Sequence, residues 1–480
     1  VFDSPRRVRS PPERLNRLAS LRAGRRPGLS VLIALSALIG KSWGKMESQP
    51  MSEYPAELTM QPWTGASLNA KARVPGSKSL TNRALIVAAL ARGKSTLTGV
   101  LASDDTRVMI ESLKALGIEV AHDQDSSTLS VQGCAGRIPR SEAELFVANS
   151  GTSLRFLTAM VATGRGTYRL DGTARMRQRP VSDLLMSLNG LGSDARSELG
   201  TGCPPVIVKA RGLDGGNVFV RGDVSSQFLS GLLMALPAST EATTVEVDGP
   251  LVSVPYVAMT IELMEAFGVR ISNRKNRRFD IRPAEYQARP YTIEPDASAA
   301  SYFFALAAIL GGSVTVEGLG SASIQGDMGF VDVLEHMGCT VSRERNSTTV
   351  TGTGTLQAVD VDMNGISDTV MTLAIVALFA KGITRIRNVA HIRYKETDRI
   401  SALSTELRKL GATVDEHPDG LVIIPPEQLT PARIVTYDDH RMAMSFALAG
   451  LKSPGVTILD PGCVAKTYPG FWTDLARVSS

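Results

Sequence analysis

A lysine at a helix mouth with an arginine one turn later is an arrangement that holds anions. The segment VPGSKSLTNRALIVAALARG (74–93) has that pattern. Pro75 and Gly76 predict a turn, and a helix is expected from near Ser79, with Leu80, Ala84, Val87 and Ala91 on one stripe. Lys78 stands at its mouth and Arg83 one turn on, where unpaired N–H groups and two cations favour an anion. ANSGTSLRFLTAM (148–160) reads as a second mouth: Asn149 precedes Gly151, which permits close backbone approach, and Thr152 or Ser153 is placed to cap the helix. RMRQRP (175–180) supplies arginine forks, Arg179 among them, that suit phosphate and carboxylate. In RGDVSSQFLSGLLMALP (221–237), Ser225, Ser226 and Gln227 set neutral donors before an apolar helix, an arrangement that a capping box explains almost as well. GKST (93–96) imitates the end of a P-loop, but the glycine required five residues before Gly93 is Ala88, which excludes an NTPase.

The second half is denser. Asp368 opens the apolar run ISDTVMTLAIVALFA (366–380), where a carboxylate is favoured as a cap. RYKETDRISALSTELRKLG (393–411) holds Lys395, Glu396, Asp398 and Arg399, and Lys395 and Arg399 are expected to share a helix face. YDDHRMAMSFALAG (437–450) places Asp438, Asp439, His440 and Arg441 before another apolar helix, and DPGCVAKTYPGFW (460–472) adds Lys466. Each cluster alone is ordinary helix-end electrostatics. Together they put cations at several helix mouths, and the ligand they suit is small and multiply anionic.

The elements that position these residues show in a repeated phrase, L-x-x-Φ-G-x-x-V, loosely kept. It reads LKALGIEV, LNGLGSDA, MEAFGVRI, LEHMGCTV and LRKLGATV, with glycines at 117, 192, 268, 338 and 411, separated by 75, 76, 70 and 73 residues. Each phrase predicts the end of an amphipathic helix, a left-handed glycine, then a strand. Even spacing implies a repeated supersecondary unit, about six in the chain. SSTLSVQG (126–133) and TTVTGTG (348–354) alternate as strands do. Pro283, Pro290 and Pro295 punctuate a plausible crossing between two lobes.

Composition excludes several classes. The chain has 480 residues, 43% hydrophobic and 21% charged, a globular profile. Its net charge of +5 sits in the leader: residues 1–45 carry ten Lys/Arg and two Asp/Glu, so the remainder nets −3. A nucleic-acid binder would carry its basic charge in the body. Four scattered cysteines, Cys134, Cys203, Cys339 and Cys463, have no C-x-x-C pair, which argues against a zinc site and a disulfide framework. The leader's apolar run VLIALSALIG is too short to span a bilayer. Residues 1–54 are expected to be a leader or an extension from an over-early start, with residues 1–45 dispensable.

VPGSKSLTNRALI, NSGTSLRFL, RMRQRP, SSQFLSGLLMALP, SIQGD, YKETDRI, DDHRMAMSFA and CVAKTYPGFW, in that order over roughly residues 60–475, resemble the 5-enolpyruvylshikimate-3-phosphate synthase family. The resemblance implies a two-lobed inside-out α/β fold of six βαβαββ-type repeats, three per lobe, with one lobe at 76–290 and the other at 55–75 plus 291–480, the lobes closing on substrates bound in the cleft. It implies transfer of the enolpyruvyl group of phosphoenolpyruvate to shikimate 3-phosphate, in aromatic amino-acid biosynthesis, with glyphosate competing for the phosphoenolpyruvate site. By the same resemblance Lys78, Asp368 and Glu396 are catalytic. Lys78, Ser79, Arg83, Ser225, Ser226, Gln227, Ser253, Asp368, His391 and Lys395 contact shikimate 3-phosphate. Lys78, Asn149, Gly151, Arg179, Gln227, Arg399, Arg441 and Lys466 contact phosphoenolpyruvate. No metal or other cofactor is implied, and a monomer is expected that binds neither nucleic acid nor membrane. A cytoplasmic location is expected, or a plastid one if the leader is a transit peptide. Two positions depart from the family pattern: His391 stands where Asn is usual, and Phe156 where Pro is usual. The nearest rival, a UDP-N-acetylglucosamine enolpyruvyl transferase, has Lys-Asn where Lys78-Ser79 stand and a reactive loop cysteine, a role for which Cys203 is a poor fit.

Overall fold

The computed structural model describes residues 54–65, 67–123 and 125–479. The expectations for the leader therefore lie outside the described residues, Tyr54 excepted. The five phrase glycines, Gly117, Gly192, Gly268, Gly338 and Gly411, all have positive φ, between 85° and 103°. Helices Asp104–Ala115, Ser182–Gly190, Val254–Ala266, Phe330–His336 and Arg399–Lys409 each stop just before one of them, and a strand follows within a few residues. A residue without Cβ reverses the chain there at little steric cost.

Among the described residues the strands form five four-stranded sheets, one three-stranded sheet and a two-stranded ribbon. One repeat illustrates the plan. Strand Glu142–Phe146 pairs in parallel with Arg165–Asp171 through helix Gly151–Val161. Helix Ser182–Gly190 then leads to the antiparallel strands Asp194–Ser197 and Val206–Arg211. Gly216–Arg221 to Arg278–Ile281 and Asp360–Asp362 to Gly420–Ile424 repeat it. Two repeats borrow their first strand from afar: Pro290–Thr292 pairs with Arg92–Thr98, and Leu68–Ala72 with Gly312–Glu317. The chain thus crosses twice. The crossings run side by side, Ser77 N donating to Glu294 O and Asp296 N to Pro75 O, both at 2.8 Å. In the last repeat Glu57–Thr59 pairs antiparallel with Val456–Leu459, taking the place of a late strand.

The arrangement is inside-out because one helix of each repeat is buried almost all round. Gly151–Val161 is buried along its whole length, and Lys78–Leu90, Ser226–Ala235, Ala297–Leu310 and His440–Lys452 nearly so. A helix apolar on every side must sit inside, with the sheets as walls. Two cores result, one from residues between Leu80 and Ile293, the other from Met60–Val74 and Ala297–Val478. Among the described residues no helix is long and apolar enough to cross a membrane.

Candidate active site

The buried helices begin at the cleft. Ser77 caps Lys78–Leu90, accepting from Leu80 N, so the helix starts one residue earlier than the pattern predicts. The backbone N–H of Lys78 donates to Asp296 of the other lobe at 3.0 Å, and its Nζ lies 3.7 Å from Asp105. Arg83 is buried and meets no carboxylate: its guanidinium donates to Thr260 Oγ1, Ser79 O and Tyr256 O. It lies 5.0 Å from the Phe156 ring and 5.9 Å from Tyr256, so the departure from the usual proline gives Arg83 an aromatic seat. Ser150, rather than Thr152 or Ser153, caps Gly151–Val161: its backbone is extended, and its Oγ accepts from Ser153 N. Gly151 leaves the space that Arg179 and Arg155 occupy; a Cβ there would sit 2.7 Å from Arg179 Cζ. Ser225 caps Ser226–Ala235, and Gln227 reaches toward both Thr152 and Arg155.

From the other lobe comes an ion-pair hub. Asp368 is not a helix cap: it lies in a 3-10 turn before Val370–Val376, and its carboxylate accepts from Lys395, from Arg399 at 3.2 Å and from Arg441 at 2.8 Å. Those cations are worth more to the carboxylate than the helix end. Lys395 and Arg399 do not share a helix face, since the helix starts at Arg399 with Asp398 as its cap; they meet instead on Asp368. Arg399 also forks onto Asp439 and bonds Glu396 at 3.1 Å. Glu396 lies 4.0 Å from Arg179 across the cleft. Lys466 donates to Asn149 O at 2.8 Å and pairs with Asp105 at 3.3 Å. Ser253, in a left-handed conformation, sets its Oγ 3.2 Å from His391 Nε2 and 3.3 Å from Ser367 Oγ.

These groups face one concave cleft, the kind of site in which a small ligand binds. Lys78, Ser79, Arg83, Arg179, Ser225, Ser226, Gln227, Ser253, Asp368, His391 and Lys395 line it directly. Asn149, Gly151, Glu396, Arg399, Arg441 and Lys466 lie beside it, joined to the lining through Arg179, Asp368 and Asp105. Sequence reasoning missed Arg155 and Tyr256, which line the cleft, and Asp105, which holds Lys78 and Lys466. Arg155 had a signal, one turn after Gly151; Asp105 sits in an ordinary capping segment and had none.

Electrostatics set the starting protonation. Burial alone would raise the carboxyl of Asp368, but Arg441, Lys395, Arg399 and Lys78 hold it well below the usual range. Glu396 is likewise depressed, its burial outweighed by Arg399, Arg179 and Lys466. Burial, with Lys395, pushes His391 down to about 3, so the ring is neutral. Burial brings Arg83 down to about 10 and, with Arg179 beside it, Arg155 down to about 9. Nε of Arg155, Nε of Arg179 and Nδ2 of Asn149 are buried without an acceptor. Donors so placed suit an anion that takes up their bonds.

Residues 63–475 match the family model of EPSP synthase (3-phosphoshikimate 1-carboxyvinyltransferase). The chain belongs to the EPSP synthase family. It is 50% identical over 407 residues, 85% of this chain and 95% of the relative, to a 3-phosphoshikimate 1-carboxyvinyltransferase of Nostoc punctiforme. It is 47% identical over 452 residues, 90% of this chain and 86% of the relative, to the chloroplastic enzyme of that name in Arabidopsis thaliana. Among solved structures, an EPSP synthase from Acinetobacter baumannii superposes with a TM-score of 0.74 at 25% identity, covering 88% of this chain and 98% of that one. The likeness to EPSP synthases thus extends over both lobes' repeats, not over one motif.

Proposed function

We infer that the chain transfers the enolpyruvyl group of phosphoenolpyruvate to the 5-hydroxyl of shikimate 3-phosphate and releases phosphate. The observation that carries this is one cleft in which cations outnumber carboxylates, Lys78, Arg83, Arg155, Arg179, Lys395, Arg399, Arg441 and Lys466 against Asp105, Asp368, Glu396 and Asp439. Two polyanionic substrates need that surplus to meet.

Lys395, Ser225, Ser226 and Gln227 hold the shikimate phosphate, and Ser79 and Arg83 the rest of that substrate. Arg179, Arg399, Arg441 and Lys466 take the carboxylate and phosphate of phosphoenolpyruvate. As those anions engage Arg399 and Arg441, Asp368 and Glu396 lose counter-cations and become stronger bases. Asp368 accepts the 5-hydroxyl proton as the oxygen bonds to C2, while the Lys78 ammonium gives C3 its proton and Glu396, ionised, is placed to take a C3 proton back. The tetrahedral adduct then expels phosphate and returns a proton from C3, which restores the double bond. Phosphate release that requires both substrates, with the enolpyruvyl ether identified by mass, is the expected result. Release with UDP-N-acetylglucosamine in place of shikimate 3-phosphate would overturn the assignment.

A further inference from the structure

The motif RMRQRP contains three arginines, and the reaction uses only Arg179. Arg177 is exposed and pairs with Asp171. Arg175 does something different. From the first lobe it reaches the opposite lobe and donates only to backbone carbonyls there: Nε to Lys395 O at 3.2 Å and Glu396 O at 3.1 Å, Nη2 to Lys395 O at 3.0 Å and Arg393 O at 3.2 Å. Its remaining nitrogen, Nη1, donates to Gln178 Oε1 on its own turn at 3.3 Å, which orients the fork. The carbonyls need such a donor. They lie at and just beyond the end of the short 3-10 helix Ala390–Tyr394, and the next helix starts only at Arg399, so no following turn pairs them.

The loop so held carries Lys395 and Glu396. On its far side it is tied to its own lobe by Arg393, which pairs with Asp398 and Glu416 and donates to His417 O and Pro418 O. On its cleft side the Lys395 and Glu396 side chains bond Asp368 and Arg399 of the same lobe, and Arg175 ties the backbone to the opposite lobe. Arg175 and Arg179 also flank a single 3-10 turn, Met176–Gln178. Arg179 faces the Glu396 carboxylate at 4.0 Å while Arg175 grips the Glu396 carbonyl. An anion that draws Arg179 therefore pulls on the same turn that holds the backbone under Glu396.

We propose that Arg175 is a positioning residue: its guanidinium fork clamps residues 393–396 across the cleft and sets Glu396 over the reacting atoms and Lys395 over the shikimate phosphate when the lobes meet. The clamp rests on the reaction assigned above, so wild-type turnover is the control that separates the two; an inactive wild type defeats that reading, whereas an active wild type beside fully active Arg175 variants defeats the clamp. The test compares wild type, R175Q, R175K and, from the same turn, R177Q. It reads kcat, the KM for phosphoenolpyruvate, binary binding of shikimate 3-phosphate, the melting temperature, and compaction on substrate addition by small-angle X-ray scattering. R175Q is expected to lose about 100-fold in kcat, the effect of a misplacement of roughly 1 Å at the reacting centre. Its binary binding and melting temperature stay near wild type, while its compaction with both substrates is incomplete. R175K is expected to recover little, because an ammonium cannot span three carbonyls as a planar fork does; if R175Q fails to fold, R175K decides alone. R177Q behaves as wild type. Full activity in R175K, a kcat in R175Q no lower than in R177Q, or a loss of kcat that tracks melting temperature would each overturn the proposal.

Discussion

Glu396 bonds Arg399 at 3.1 Å and Asp368 bonds Arg441 at 2.8 Å, so both carboxylates are ionised before a substrate arrives and can first act only as bases. Glu396→Gln and Asp368→Ala are each expected to lower kcat about 10²–10⁴-fold, the usual worth of one proton-transfer group. Binary binding of shikimate 3-phosphate should hold up better in Glu396→Gln than in Asp368→Ala, since Asp368 lines the cleft and Glu396 does not. Steady-state kinetics with calorimetric binding checks both. Gly151→Ala puts a methyl carbon 2.7 Å from Arg179 Cζ and closer still to Arg155 Nη1. Displacing two buried guanidiniums by about 1 kcal/mol each raises the KM for phosphoenolpyruvate roughly 10- to 30-fold. Glyphosate, the longer molecule, is expected to lose more, which its inhibition constant reads directly. The residues of the cleft were legible because helix mouths concentrate them. The partners were not: Asp368 and Arg441 stand 73 residues apart, and only the packed chain shows that Asp368 serves cations rather than a helix end.

At the scale of the element, the recurring device is a buried helix whose N-terminus opens toward the cleft. Lys78, Gly151 and Ser226 open such helices in one lobe, with Asp296 and Asp439 as caps in the other. Their positive ends add to the side-chain cations without needing a longer side chain. A second device fixes the spacing between two of them. Glu406, fully buried on the Arg399 helix, accepts from Lys409 at 2.8 and 2.7 Å, from Val435 N at 3.1 Å and from Tyr437 OH at 2.7 Å. It pins that helix to the segment leading into Asp439 and Arg441. Glu406→Gln leaves those donors short of an anion, a loss of about 3 kcal/mol. The melting temperature should fall, and the KM for phosphoenolpyruvate should rise more than that for shikimate 3-phosphate. The helices and their glycine ends were legible from the repeated phrase, because helix, reversal and strand are local events. Glu406 was not, since it looks like any charge on a helix flank.

For the molecule as a whole, the cleft exists because two lobes press polar groups together, and that has a cost in acid. His391 is held at about 3 by burial and by Lys395, whereas it titrates near 6.5 when unfolded. Its folded value is depressed, so folding is unpenalised above about pH 6.5, and stability falls as the pH drops toward 3, by about 1.4 kcal/mol per pH unit from this group. His391→Asn removes that dependence. The variant is expected to keep more of its neutral-pH melting temperature at pH 5 than wild type does, as calorimetry would measure. The number of repeats was legible from glycine spacing; the borrowed strands were not, because Leu68–Ala72 and Pro290–Thr292 look the same whichever sheet they join. A third long-distance pairing bears on how the chain is made. Glu57–Thr59 completes a sheet with Val456–Leu459, and Tyr54 bonds Pro469, 415 residues away. At about 5–20 residues per second on the ribosome, the early strand waits roughly 20–80 s for its partner, while residues 78–293 already have a core of their own. During that interval a nascent chain carries an open β-edge beside a finished lobe, the situation in which neighbouring chains pair by mistake and a chaperone is most useful.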